Sequence, residues 1–157
     1  MDLAGKWHNA VIEILSELCG EWEKAGTYKK TCRGDSEPIA VSYMKTTYYY
    51  QPDLYAVYVK RGQKIDIYEV IDTETEGEAV MDIVYSALAR TNVLAMICSD
   101  ESKLNAIRDH AKILLNRLYD EDRKKLERIY NPKYFIYLPR AMPKKRMKKK
   151  LRKQLDF

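Results

Sequence analysis

"QPDLYAVYVKRGQKIDIYEVIDTETEG", residues 51–77, decides the fold. Two runs rich in β-branched and aromatic residues, "DLYAVYVK" and "KIDIYEVID", flank "RGQ", whose glycine serves a turn. They read as the second and third strands of a meander. Asp53 opens one strand and Glu69 closes the other, sixteen positions later. Less the turn, that leaves two strands of about seven residues, so the two carboxylates can meet across the pair. "TETEGEAVMDIVYSALART" then returns to helical spacing through Val80, Ile83 or Val84, Ala87 and Leu88.

Upstream, residues 3–24 read as an amphipathic helix, with Trp7, Val11, Ile14, Leu15, Leu18 and Trp22 at three- and four-residue steps. "GTYKKTCRGDSEP" has the composition of a loop or a frayed strand end; its RGD tripeptide is read as loop. "IAVSYMKTTYYY" reads as the first strand. Downstream, "NVLAMICSD" is almost wholly apolar, the pattern of a strand buried on both faces and paired in parallel. "SDESKLNAIRDHAKILLNRLY" is a helix capped by Ser99 or Asp100, "EDRKKLERIY" a further helix ended by Pro132, and "KYFIYL" an edge strand. The predicted class is α/β (α+β): a small mixed sheet flanked by helices, ordered helix, three-strand meander, helix, strand.

The chain has 157 residues, 46% hydrophobic and 32% charged, which suits one folded body. No apolar run is long enough for a membrane span, and the early Asp2 and amphipathic start are unlike a secretory signal. Cys19, Cys32 and Cys98 are odd in number without paired metal spacing, so a reducing, cytoplasmic setting is expected. His8 and His110 form neither a zinc motif nor a nucleophilic triad, and no glycine-rich phosphate loop exists.

Charge divides the chain. Residues 140–157 carry nine basic groups against Asp156, while the other 139 residues sum to −3. The expected organisation is a body over 1–139 and a basic C-terminal tail over 140–157. Lys144, Lys145, Arg146, Lys148, Lys149, Lys150, Arg152 and Lys153 would neutralise phosphates and give salt-dependent, sequence-independent nucleic-acid affinity. The tail's few apolar residues (Met142, Met147, Leu151, Leu155) favour nucleic acid over a membrane surface. The thirteen tyrosines suggest base stacking, but strand alternation assigns about half of them to the core.

The order of elements, with "GKWHNAVIEILSEL", "QPDLYAVYV" and "IDIYEVIDTE", resembles the PD-(D/E)xK nuclease superfamily, the restriction-endonuclease-like fold. Within it the pattern is most similar to archaeal Holliday-junction resolvases. The resemblance spans roughly residues 5–100 and leaves the tail outside. It implies a metal-dependent deoxyribonuclease in which Asp53, Glu69 and the Val70 carbonyl hold Mg²⁺ or Mn²⁺. It also implies duplex or branched DNA as partner, a homodimer for cutting two strands, and an archaeal or viral source. A first-helix acid is part of the pattern. Aligning "NAVIE" points to Glu13, whereas helical geometry puts Glu17 or His8 nearer the buried stripe.

The pattern places a lysine two residues after the glutamate, to orient or activate the attacking water. Here that residue is Ile71. Three explanations stand. A cation comes from another element, Lys45 or Arg90; a different polar group serves, Asp72 or Glu74; or the fold no longer cuts and only binds nucleic acid through its basic tail. Lys60 lies at the turn end of its strand and on the opposite parity from Asp53.

Overall fold

A computed structural model describes residues 3–155 except 61, 63, 90, 118, 119 and 130. Helix α1, Leu3–Lys24, buries Trp7, Val11, Leu15 and Leu18, with Ile12, Ile14 and Cys19 widening the stripe. Gly26 ends it at φ +86°, where a side chain would be strained, and the Thr27 amide closes back on the Trp22 carbonyl at 2.9 Å. Strand β1, Tyr28–Cys32, follows at once. The segment read as a loop or a frayed strand end therefore contains an edge strand of the sheet. Its outward Lys29 and Lys30 hide it in the sequence and protect the edge in the fold.

The single strand expected over 39–50 is corrected to a two-stranded hairpin, β2 (Ile39–Tyr43) and β3 (Thr46–Tyr50), outside the main sheet. Met44 and Lys45 form its two-residue turn, both at positive φ (49° and 66°). That geometry matches strand twist but normally selects Asn-Gly; two residues carrying Cβ cost roughly 1–2 kcal/mol each there. Strands β4 (Leu54–Tyr58) and β5 (Ile65–Ile71) complete the meander with β1. Helix α2, Glu76–Leu88, opens on a capping box between Thr75 and Glu78. It crosses over to β6, Thr91–Cys98, which pairs parallel with β5.

Helices α3 (Glu101–Arg117) and α4 (Asp120–Ile129) lead to the short edge strand β7, Phe135–Tyr137. Sheet order is β1-β4-β5-β6-β7. Arg108 donates to the Phe135 carbonyl and Lys150 to the Tyr137 carbonyl, both at 2.6 Å, so β7 offers fewer free acceptors to another strand. Every residue of β5 is buried. Its Tyr68 and Val70 join α1 in one apolar cluster; Ile65, Ile67 and Ile71 join α2 and α3 in the other. The mixed sheet between helical layers matches the expected class. Tyr28, Tyr50, Tyr55, Tyr58, Tyr68 and Tyr134 are buried, in keeping with core packing.

The basic segment set apart at residue 140 folds as helix α5, Lys144–Gln154, docked on α1. Met147, Leu151 and Leu155 are buried in the α1 cluster. Lys144, Lys148 and Arg152 pair with Glu13, Glu17 and Glu21, so the two helices run parallel in step. No helix among the described residues is long and apolar enough to cross a membrane. Cys19, Cys32 and Cys98 are free thiols.

One loop contact positions the end of the sheet. The Gly34 amide donates to the Pro52 carbonyl at 3.0 Å, and a Cβ on Gly34 would lie 2.1 Å from that oxygen and 2.5 Å from the Pro52 nitrogen. Backbone lies on both sides of this contact, so no side-chain rotation relieves the clash. Gly34→Ala is therefore expected to lower stability by about 1–3 kcal/mol in urea denaturation, through displacement of the Pro52–Asp53 backbone.

Candidate functional site

Pairing between β4 and β5 ends at Leu54 opposite Tyr68, so Glu69, Val70 and Ile71 run on past the start of β4. Asp53 fills the gap. Its Oδ2 accepts the Val70 amide at 2.8 Å, in place of the carbonyl a longer β4 would have offered. The Val70 carbonyl points to the same side of β5 as its amide, beside Asp53.

Glu69 projects to the α2 face and is 4% exposed. Its Oε1 accepts the Tyr50 hydroxyl at 2.8 Å; that ring stacks on Tyr85 and its oxygen lies 3.3 Å from Ser86 Oγ. Asp82 on α2 is close enough to hydrogen-bond Glu69. Glu74 comes from the β5–α2 loop. His8 comes from α1, its Nε2 lying 3.3 Å from Asp53 Oδ1. One ligand atom from each of His8, Asp53 and Glu74 lies within 4.8 Å of the others. Glu69 and Asp82 lie outside that group but near enough for their charges to act on Asp53 or Glu74.

Their electrostatics are those of crowded like charges. Burial, then the charges of Asp82 and Asp53, push Glu69 well above the usual carboxylate range, against the Tyr50 hydrogen bond. Burial with the Asp53 and Asp82 charges pushes Glu74 up to about 7. Asp82 is also pushed up to about 7, by burial and then by the Asp53 and Glu78 charges, while its hydrogen bond with Glu69 pulls the other way. His8 is raised by its hydrogen bond to Asp53. Among the described residues no lysine or arginine pairs with any of the four acids.

The sequence-predicted residues divide. Asp53 lies against Val70 through the Val70 amide, and His8 is the α1 residue that reaches Asp53; Glu69 stands outside the His8–Asp53–Glu74 group and meets Asp53 only through the charge each feels from the other. Glu13 and Glu17 do not reach the group: both face α5, bonded to Lys144 at 3.0 Å and Lys148 at 2.9 Å, and Lys148 holds Glu17 below its ordinary value. Lys45 sits in the hairpin turn, a five-residue strand or about 16 Å along the chain from Tyr50. Arg90 lies outside the described residues. Ile71 is fully buried in the α2-side cluster. Glu74 joins the site, but Asp72 does not. Arg140 donates to Asp72 Oδ1 through Nε at 3.0 Å and Nη2 at 2.7 Å, and Ser99 Oγ bonds the same oxygen. Lys103 donates to the backbone carbonyls of Asp72 (2.8 Å) and Glu74 (2.9 Å), pinning the loop that carries Glu74 rather than its charge.

Asp82 and Tyr50 were not legible as site residues. A usable signal existed for Asp82: it lies beside the buried Ala79–Ile83–Ser86 stripe, where an apolar residue is the default. The donor set, carboxylate oxygens with one imidazole nitrogen, suits a hard or borderline divalent cation such as Mg²⁺ or Mn²⁺. Comparison with family models, curated proteins and solved structures returned no match.

A pH dependence follows from the raised acids. Between the unfolded carboxylate values and their folded ones, Glu69, Glu74 and Asp82 hold protons that the unfolded chain releases. Stability therefore falls as pH rises from about 4.5 through about 7. His8 acts in the same direction, since its contribution is lost as pH climbs through its raised value. The metal-free protein is expected to melt lower at about pH 8 than at about pH 5.5. Millimolar Mn²⁺ or Mg²⁺ should recover about 5–10 °C at the higher pH and little at the lower. A melting temperature flat in pH and indifferent to cations would rule the centre out.

Proposed function

We propose that the chain is a metal-dependent nuclease that hydrolyses DNA phosphodiester bonds at the Asp53–Glu69 cluster. The observation that carries this reading is the His8–Asp53–Glu74 group, with Glu69 and Asp82 near enough for their charges to be felt and no lysine or arginine among the described residues paired with any of the four acids. Such an arrangement is costly without a cation and suits one. The helix–meander–helix–strand order around it supports the resemblance drawn from the sequence.

Asp53 and Glu74, with Glu69 and the Val70 carbonyl, would hold Mg²⁺ or Mn²⁺. A bound cation would stabilise charge on the phosphoryl oxygens and make a water acidic enough to attack. Ile71 can take no proton. His8 can, and Asp53 Oδ1 beside its Nε2 would hold the resulting imidazolium, as a carboxylate does for any histidine base. Tyr50 fixes the Glu69 carboxylate from the opposite side.

The phosphate grip is smaller than the composition of α5 suggests. Lys144, Lys148 and Arg152 are paired to α1, and Lys150 bonds the Tyr137 carbonyl. Lys145, Arg146, Lys149 and Lys153 fall within about 100° of arc on the outward face and carry no ion pair among the described residues. These four are the phosphate contacts. Because Leu151 and Leu155 belong to the core, charge substitution rather than truncation isolates the grip.

The second reading, a nuclease fold that binds without cutting, is favoured by Ile71 alone. Incubation of labelled linear, single-stranded and branched DNA with Mg²⁺ or Mn²⁺ separates the two. Cleavage is expected, abolished by Asp53→Asn and by Glu69→Gln. His8→Ala should lower kcat by about 10²-fold or more while preserving most of the cation's thermal shift. No cleavage of any of the three DNAs with either cation would leave the binding reading. Replacing Lys145, Arg146, Lys149 and Lys153 by Gln should reduce the slope of log Kobs against log salt by about 3–4.

A further inference from the structure

Among the described residues, seven large apolar side chains are exposed, and four of them (Tyr43, Met44, Tyr48, Tyr49) lie in the β2–β3 hairpin. Met44 at the turn is 80% exposed and Tyr49 on the outer face is 68% exposed. The turn holds Met44 and Lys45 at positive φ, where Asn-Gly would close the same hairpin without strain and without an apolar tip. No aspartate or glutamate occurs from residue 38 to residue 52, in a chain with 23 of them, and the tip carries Lys45. Ser42, Thr46 and Thr47 add hydroxyl donors.

We propose that this hairpin is a stacking arm for an unpaired or unstacked nucleic-acid base, with Tyr49 as the platform and Met44 as the wedge. The proposal rests on the nuclease reading and names its substrate class: DNA interrupted by a bulge, branch or single-stranded end near the scissile phosphate.

Position carries the argument. Tyr49 stands opposite Ala40, a small cross-strand neighbour that leaves the ring uncovered. Tyr49 and Asp53 are four positions apart, so their Cα atoms are at most about 14 Å apart, or about four base steps. The base of the hairpin is tied to the site itself, since Tyr50 bonds Glu69. Tyr49 alternates with the buried Tyr50, so its ring lies on the outward face of the hairpin, open to a base on a strand that extends beyond the site. Bases within a continuous duplex are covered on both faces by their neighbours, so an aromatic platform of this kind selects a base that has left the stack. An acid-free surface with hydroxyls and one lysine admits the phosphates on either side.

The test is binding by the full-length protein in EDTA, where cleavage does not intervene, read as fluorescence anisotropy. Three labelled DNAs are compared: a single strand, a continuous duplex and the same duplex with a one-base bulge. The wild type is expected to favour the bulged duplex and single strand over the continuous duplex. Tyr49→Ala should weaken the first two by about 5- to 100-fold and leave the third within about twofold. Tyr49→Phe should retain the preference, which distinguishes stacking from misfolding. The proposal is overturned if the wild type shows no preference or binds no DNA. It is also overturned if Tyr49→Ala weakens all three equally, or if Met44 and Tyr49 variants lose only binding to anionic lipid vesicles. An intact preference without cleavage would sink the nuclease reading and leave the arm; cleavage without the preference would do the reverse.

Discussion

The hydrogen bond from the Val70 amide to Asp53 ties the sequence of the β4–β5 pair to everything the sheet end can do. Backbone pairing stops one residue short of Asp53, and an aspartate side chain takes over the donor that the missing residue would have satisfied. This fixes one carboxylate against the strand that carries another. The requirement spreads outward. Pro52 must sit where Gly34 can touch it without a side chain between, so a loop glycine in "RGD" serves the placement of a carboxylate nineteen residues later. Tyr50, three residues before Asp53, anchors the far side of Glu69. A segment of four residues thus binds the hairpin, the first loop and the central strand to one point.

Charge is distributed as though the cluster were to remain short of protein cations. Lys103 and Arg140 both approach the β5–α2 loop, yet one is spent on backbone carbonyls and the other on Asp72. The acids of α1 that could have joined the cluster are held on the opposite side by α5. Moving like charges together raises the free energy of the folded state, and the surrounding apolar clusters must carry that cost. The two faces of α5 follow from the same economy. Its inward face packs and pairs, leaving an outward stripe of four cations with no ion pair among the described residues.

What the sequence discloses depends on how local the cause is. That Asp53 and Glu69 stand at the same end of neighbouring strands follows from strand length and a turn, so counting residues was sufficient. The parallel strand β6 follows from a run of apolar residues that only a doubly covered position tolerates. Strand β1 stays undecided between loop and strand end in the sequence because its exposed Lys29 and Lys30 are edge-strand chemistry, which is ambiguous when flanked by turn residues. The break in 39–50 escaped because Met-Lys is not turn chemistry; tertiary packing on α2 holds a turn that local preference disfavours. Glu74 was legible as a polar residue just past the β5 end, whereas Asp82 and Tyr50 reach Glu69 by the packing of α2 and the β2–β3 hairpin, which no spacing rule announces. Helical angle did separate His8 from Glu13, but the pairing of Glu17 depended on where α5 would dock.

Ile71 looks different once the layers are assembled. It shares the α2 face with Glu69, but it lies under α3, whose Leu104 and Ile107 belong to the same apolar cluster. Its carbonyl accepts the Ser99 amide at 3.2 Å, which prolongs β5–β6 pairing beyond the site. A lysine at this position would have to bring an ammonium into a space with no exposure, walled by Leu104 and Ile107, at a large desolvation cost. Ile71 is therefore part of the wall that buries one side of the cluster, rather than a vacancy within it. The same wall raises Glu69 by desolvation. If a proton must be taken up at this site, geometry confines that task to the open side, where α1 presents His8 against Asp53.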